Sequence, residues 1–168
     1  MISLIREWLQ SDDHEQIARA EQQLQSLDPI LARAELTVLS QDANPAVRSY
    51  SAIIAGRLFR DLAVQLAIDL LTDSTAFVRW HACEILHYLH CYQSADRMAQ
   101  LVAYDPDELV RNRAAIAIGE LGDMTLIPLL LQAAENETGT DHEGSPVRDK
   151  IIDAVTRIKS RYPSQQCD

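Results

Sequence analysis

QDANPAVR (41–48), TDSTAFVR (72–79) and YDPDELVR (104–111) share one frame: an aspartate, four residues, then Val-Arg. A fourth copy, TDHEGSPVR (140–148), carries Val147 and Arg148 but has one extra residue after Asp141. A fainter fifth runs from Asp13 to Arg19 in DHEQIAR, with Ala18 in place of the valine. The arginines therefore recur 29, 31, 32 and 37 residues apart, a period too short for a domain and suited to a helical hairpin.

Beyond each Val-Arg, small and apolar residues recur at offsets of four, five, eight and eleven from the valine. They are Ala114, Ala115, Ile118 and Leu121 in the third copy, and Ala82, Cys83, Leu86 and Leu89 in the second. At about 100° per residue these positions share one broad face, so each copy opens an amphipathic helix, and the period excludes strands. A polar break and a second apolar segment follow each time: DLAVQLAIDLL (61–71), SADRMAQLVAY (94–104) and MTLIPLLLQAA (124–134). Gly122-Asp123 and Asn44-Pro45 supply helix-stopping and helix-starting chemistry. The spacing predicts an all-α chain of five hairpins, roughly 2–27, 28–60, 61–91, 94–121 and 123–160, in a single domain over residues 1–162 with a polar tail at 163–168.

Composition agrees. In 168 residues, 47% apolar content argues for a packed core, while 5% aromatics and five glycines suit helices of Ala, Leu and Ile better than short strands. Acids outnumber bases 25 to 15, so a phosphate backbone is repelled and nucleic acid is not the expected partner. MISLIREWLQ (1–10) carries Arg6 and Glu7 and reads as neither a signal peptide nor a membrane span. Three cysteines without a pairing pattern favour free thiols and a cytoplasmic setting.

VRNRAAIAIGELGD (110–123), followed by a helix entered near Pro128, resembles the HEAT repeat in its short bacterial form, the type named after phycobilisome lyase subunits. The resemblance covers residues 28–160 well and the first 27 weakly. It implies a right-handed α-α superhelix with the Val-Arg helices lining the concave side. It also implies a structural ladder of Asp42 with Arg48, Asp73 with Arg79 and Asp105 with Arg111, within or across repeats, continued by Arg148. A carboxylate is the partner an arginine at the core edge requires.

VRWHACEILHYLHC (78–91) concentrates histidine and cysteine, so a metal site has to be weighed. The register places Cys83 in the core, His90 near its edge, and Trp80, Glu84, His87 and Cys91 on an outward stripe at i, i+4, i+7 and i+11. Glu84, His87 and Cys91 are zinc-ligand types at one-turn spacing. There is no CxxC or HExxH, however, and the neighbouring helices offer Ile53, Arg57, Arg113 and Ile116 rather than a fourth ligand. The expectation is a polar patch without metal or other cofactor.

HEAT-like iron hydroxylases carry His-Glu pairs directly after the Val-Arg position. Here those slots hold Ser49-Tyr50, Trp80-His81, Asn112-Arg113 and Asp149-Lys150, while His14-Glu15 and His142-Glu143 precede their helices. A di-iron centre is not expected. No glycine-rich phosphate loop, GxSxG or nucleophile-base pair is present, so no catalytic residue is assigned.

Offsets two, three, six and ten from each valine mark the concave surface: Ser49, Tyr50, Ile53 and Arg57, then Trp80, His81, Glu84 and Tyr88, then Asn112, Arg113, Ile116 and Glu120, and in the last copy Asp149, Lys150, Asp153 and Arg157. Aromatic and aliphatic groups on a wet face have no folding role, whereas Trp, Tyr and Arg anchor interfaces. The expected partner-binding patch centres on Trp80, with Tyr50, Ile53, His81, Glu84, Tyr88, Arg113 and Ile116 around it. Were the register one residue off, Trp80 would cover a neighbouring helix instead.

The expected function is a non-catalytic adaptor holding another protein, whose basic surface would suit the acidic balance. Two alternatives are an auxiliary subunit of a bilin lyase, binding a phycobiliprotein or its tetrapyrrole, and an acidic inhibitor covering a basic toxin or nuclease. ENETGTDHEGS (135–145) reads as an exposed, mobile loop, and RYPSQQCD (161–168) as a frayed tail exposing Cys167.

Overall fold

A computed structural model describes residues 2–11 and 13–163. Among the described residues there are ten α-helices and no β-strand, only an isolated bridge between Thr140 and Pro146. No helix among them is long and apolar enough to cross a membrane. The expected tail from Ser164 onward, with Cys167, lies outside the described residues. The chain forms two compact units, Met1–Ile85 and Leu86–Asp168.

The first unit contains α1 (Ile2–Leu9), α2 (His14–Gln25), α3 (Pro29–Leu39), α4 (Pro45–Leu58), α5 (Arg60–Leu70) and most of α6 (Ala76–Tyr88). Starts are marked by side-chain caps: Asp13, Asp28 and Asn44 accept from the backbone N–H two residues on, and Pro29 and Pro45 occupy the first turn, where no N–H is needed. α4 and α5 are separated by Phe59 alone, with an extended backbone at φ −144°. Helix α1 packs on α2 and α4, α2 also on α3 and α4, α3 on α4, and α4 on α5. Ile5, Leu9, Leu24, Leu36, Leu39 and Ile54 are fully buried. At about 25 cal/mol per Å² of apolar surface, each contributes on the order of 2 kcal/mol before entropy is counted.

The second unit contains α7 (Ala95–Tyr104), α8 (Glu108–Leu121), α9 (Ile127–Asn136) and α10 (Val147–Arg161). α7 pairs with α8 and α9 with α10, while α7 packs on α9 and α8 on α10, so two hairpins lie side by side with like helices facing. Both α7 and α9 are entered through a single 3₁₀ turn, Tyr92–Ser94 and Met124–Leu126. MTLIPLLLQAA is thus a turn followed by a helix that has Pro128 in its first turn.

The apolar positions at offsets four, five, eight and eleven all lie in the core: Ala114, Ala115, Ile118 and Leu121, and likewise Ala82, Cys83, Leu86 and Leu89. Small residues permit close helix approach. A Cβ on Gly119 would stand 3.4 Å from the Ala154 backbone, and one on Gly122 2.9 Å from the Ile118 carbonyl and 3.0 Å from Ile158 Cδ1. Arg161, from the last turn of α10, donates to the Gly119 and Gly122 carbonyls at 2.5 and 2.6 Å, satisfying acceptors that the end of α8 leaves open.

α6 ends in a left-handed residue. His90 has φ 48°, and around it the Cys91 N–H reaches back to the Leu86 carbonyl and the His90 N–H to that of His87, both at 2.9 Å. This geometry favours glycine, because a Cβ crowds the following carbonyl. His90→Gly is expected to raise stability by about 1 kcal/mol, read as an upward shift in thermal midpoint; a loss would show that the imidazole contributes more than the strain removes.

Candidate functional site

The aspartate-arginine frame builds the joint between successive hairpins. Asp42 Oδ1 accepts the Asn44 N–H at 2.8 Å, Asp73 Oδ1 the Thr75 N–H at 2.8 Å, and Asp105 Oδ1 the Asp107 N–H at 2.9 Å, each closing a tight turn. The residue reached is the one just before the helix, and Asn44 and Asp107 then cap α4 and α8. Six residues after each aspartate, the arginine returns to it: Arg48 Nη1 donates to the Asp42 carbonyl at 2.8 Å, Arg79 Nη1 to that of Asp73 at 2.8 Å, and Arg111 Nη1 to that of Asp105 at 2.9 Å.

The other edge of the guanidinium points to the next repeat. Arg48 makes a two-pronged contact with Asp73, Nε to Oδ2 at 2.7 Å and Nη2 to Oδ1 at 2.8 Å. Arg111 makes the same contact with Glu137, Nε at 2.6 Å and Nη2 at 2.8 Å. Within a repeat the aspartate thus offers Arg48 and Arg111 its backbone carbonyl, while the carboxylate comes from the following loop. This planar fork is a geometry lysine cannot supply.

Two positions differ from the spacing. The first arginine of the series is Arg6 on α1, which grips the Asp42 carboxylate through Nε and Nη2; Arg19 instead pairs with Glu15 one turn away, at 2.6 Å. In the last repeat the acid is Glu137, and Asp141 holds its own turn by accepting from the Glu143 and Ser145 N–H groups. The loop is consequently organised: Gly139 donates to Glu137, Thr140 donates to Glu108, and a Cβ on Gly139 would stand 2.7 Å from the Glu108 carboxylate and 2.8 Å from Arg111 Nη2. Arg148, assigned to the ladder by spacing, is exposed at the start of α10.

These pairs set the acid limit of stability. Arg6 and then the Asn44 N–H pull the Asp42 pKa below its ordinary value, and the Arg111 fork does the same for Glu137. For Asp73 burial is the largest influence and pushes upward, but the Arg48 fork, the Thr75 N–H and the nearby guanidinium charges together outweigh it, leaving the pKa lowered. A carboxylate whose folded pKa lies below its unfolded one contributes stability that is fully present above the unfolded pKa and is lost as pH falls through the folded value. Denaturant melts should therefore show stability nearly flat down to about pH 5 and falling below about pH 4, with a shallower fall in Arg48→Ala. An unchanged slope in that variant would contradict the assignment.

In the first unit, Tyr50, Ile53, Trp80, His81 and Glu84 are half-buried. Arg57 pairs with Glu21 on α2. The Trp80 and His81 rings meet edge to face at 4.9 Å, and His81 does the same with Phe77 at 4.4 Å. The Phe77 carbonyl can only accept, so the contact with His81 Nδ1 at 3.0 Å places a proton on that nitrogen. Phe77, 43% exposed, is an aromatic that the offset reading left out.

In the second unit, Tyr88 is 79% exposed, and Arg113 and Ile116 are half-buried. His87 sits between two partners of opposite charge: Glu120 lies 2.9 Å from Nε2, and Arg113 Nη2 lies 3.5 Å from Nδ1. A carboxylate only accepts, so Nε2 is the donor toward Glu120. The His87 hydrogen bond, against a smaller opposing effect of burial, lowers the Glu120 pKa, and Arg157 stands 3.7 Å from the same carboxylate.

The offset reading is corrected at several positions. Ser49 is completely buried, its hydroxyl without a partner, and Asn112 is 9% exposed, so offset two lies on the core side of α4 and α8, whereas Trp80 at the same offset on α6 is half-buried. Cys91 is buried and His90 exposed, because the left-handed turn ends α6 before the helical extrapolation reaches them. Glu84, His87 and Cys91 do not converge, and among the described residues no group of three or more His, Cys, Asp or Glu is placed to hold a metal ion. Cys83 and Cys91 are free thiols, both buried. No family model matches the chain, and no curated protein matches it closely enough to be counted a relative.

Proposed function

We propose that the chain is a non-catalytic protein-binding module: a HEAT-like array whose hairpins stack into a right-handed superhelix and whose inner face, carried by α4, α6, α8 and α10, holds another protein. The observation that supports this most is the arginine joint. The same atoms make it at Arg48 and at Arg111, so those ladder side chains serve the fold, while Tyr88 is exposed and Trp80, His81 and Ile116 are half-buried. A solenoid of this kind buries its core along the axis and works through an extended face.

The test is Trp80→Ala in the full chain, with Tyr50, Ile53 and Arg113 variants beside it. Partners that co-purify with the wild type are expected to fall away by tenfold or more in occupancy, with the thermal midpoint within about 2 °C of wild type. A large fall in midpoint would show that Trp80 serves the fold and would overturn the patch. Visible absorbance on mixing with a linear tetrapyrrole would contradict the adaptor reading in favour of a bilin-binding subunit.

A further inference from the structure

Helix α3 keeps one side uncovered. Ala32, Leu36 and Leu39 are its buried residues, and the helix packs on α2 and α4. On the opposite side stand Ile30, Leu31, Ala34, Thr37 and Val38, all exposed and none charged. At about 100° per residue these five fall within roughly 120° of one another, so they form one stripe along the helix. Ile30 at 78%, Val38 at 60% and Leu31 at 58% are the three most exposed large aliphatic side chains among the described residues. Folding gains nothing from holding them in water, and a contiguous apolar patch of several hundred Å² marks a surface that another molecule covers.

Charge and shape together select the cover. The chain is 24% charged with a net charge of −10, yet no charge interrupts the stripe. The one cation of the helix, Arg33, is already gripped by Asp61 through bonds of 2.8 and 2.9 Å, and its guanidinium lies 4.6 Å over the Phe59 ring. The acids nearby are Asp28 at the helix start, Glu35 within it and Asp61 on Arg33. A helix that lies on a membrane instead carries lysine and arginine beside its apolar face. A partner chosen by charge finds nothing to grip on the stripe itself. An identical stripe does fit. Ala34, the smallest of the five, is at the midpoint, with branched side chains three and four positions to either side, so two antiparallel copies of α3 can cross closely there, Leu31 lying against Val38 of the other copy. Antiparallel pairing also opposes the two helix dipoles. Facing stripes bury roughly 900 Å² in total, the size of a weak and reversible association.

We propose that the chain self-associates through α3, two copies meeting across a two-fold axis at Ala34. The contact uses none of Trp80, Tyr88, Arg113 or Ile116, so it stands or falls independently of the adaptor reading. Both copies are strongly negative; apolar burial therefore holds the pair against mutual repulsion, and salt strengthens it by screening.

Sedimentation equilibrium of the full chain from about 5 to 300 μM reads the association. The wild type is expected to dimerise with a dissociation constant on the order of 10–100 μM, tighter at high salt than at low. Leu31→Lys and Val38→Glu should each weaken it about tenfold or more, because each sets charges against an apolar contact. The double variant Leu31→Lys/Val38→Glu should return to within about threefold of wild type: the antiparallel register sets each lysine against a glutamate of the other copy, and two turns apart on one helix the two cannot pair within a copy. Trp80→Ala should dimerise as the wild type does. Circular dichroism melts at low concentration confirm that each variant is folded. A wild type that stays monomeric throughout, association that weakens with salt, unchanged association in Val38→Glu, or a double variant no better than the single changes would each overturn the proposal. So would a monomer that floats with phosphatidylcholine vesicles, or one that loses a co-purifying protein when Val38 is changed, the results for a stripe covered by lipid or by a different chain.

Discussion

Arg48→Ala is expected to lower the free energy of unfolding by about 3 kcal/mol, the largest single loss outside the apolar core. The magnitude follows from what remains. Asp73, whose side chain is 8% exposed, would keep its negative charge with only the Thr75 N–H and neighbouring charges to balance it, and the Asp42 and Ala43 carbonyls would lose their shared donor. Arg48→Lys should recover only part of the loss, because an ammonium cannot span a carboxylate with two prongs and still reach the Asp42 carbonyl. Arg19→Ala is the control. That arginine and Glu15 are 57% and 74% exposed, and an exposed pair one turn apart contributes close to nothing measurable. Equal losses in Arg48→Ala and Arg19→Ala would mean that the joint carries no special weight.

Glu137→Ala is expected to cost a similar amount, about 3 kcal/mol, while Asp141→Ala melts close to wild type. The Glu137 side chain is 3% exposed and holds Arg111 and the Gly139 N–H together. Asp141 only shapes the outer turn of the same loop, through the Glu143 and Ser145 N–H groups. Denaturant titration of the two variants side by side distinguishes them; a larger loss at Asp141 would return the ladder to the residue that the spacing first indicates.

That contrast shows what could be read from the chain and what could not. Helix faces were legible because a 3.6-residue period selects buried positions by arithmetic, and Ala114, Ala115, Ile118 and Leu121 lie where it puts them. The ladder arginines at 48, 79 and 111 were legible because six-residue spacing fixes the return to the aspartate carbonyl. Glu137 was hidden by two compensating changes: a loop lengthened ahead of Val147, and a side chain one methylene longer that reaches the same guanidinium. Arg6 was hidden because α1 is short and lacks the Val-Arg frame. Cys91 and His90 were misplaced because a left-handed residue without glycine leaves no signal in the sequence. Of the candidate patch, Tyr88 is exposed and Trp80 half-buried, whereas Ser49 and Asn112, which the offsets placed on the same surface, are buried.

The capping residues were only partly legible. Asn44-Pro45 announces a helix start, but the chain of contacts from Asp42 to the Asn44 N–H and from Asn44 to the Ala46 N–H appears only in the fold. It explains why the frame needs a short polar residue two places after each aspartate: Asn44, Thr75 and Asp107. Each loop is therefore a rigid connector rather than a slack one, and the arginine that follows has a fixed carbonyl to return to.

A double-mutant cycle on Arg48 and Asp73, followed by urea unfolding, tests the joint most directly. The account predicts that the two losses overlap, with a coupling energy of about 2 kcal/mol, and that the pair replaced together is less damaging than the sum of the single changes. Additivity within about 0.5 kcal/mol would mean that the two residues act independently, and the arginine joint would not be what ties one hairpin to the next.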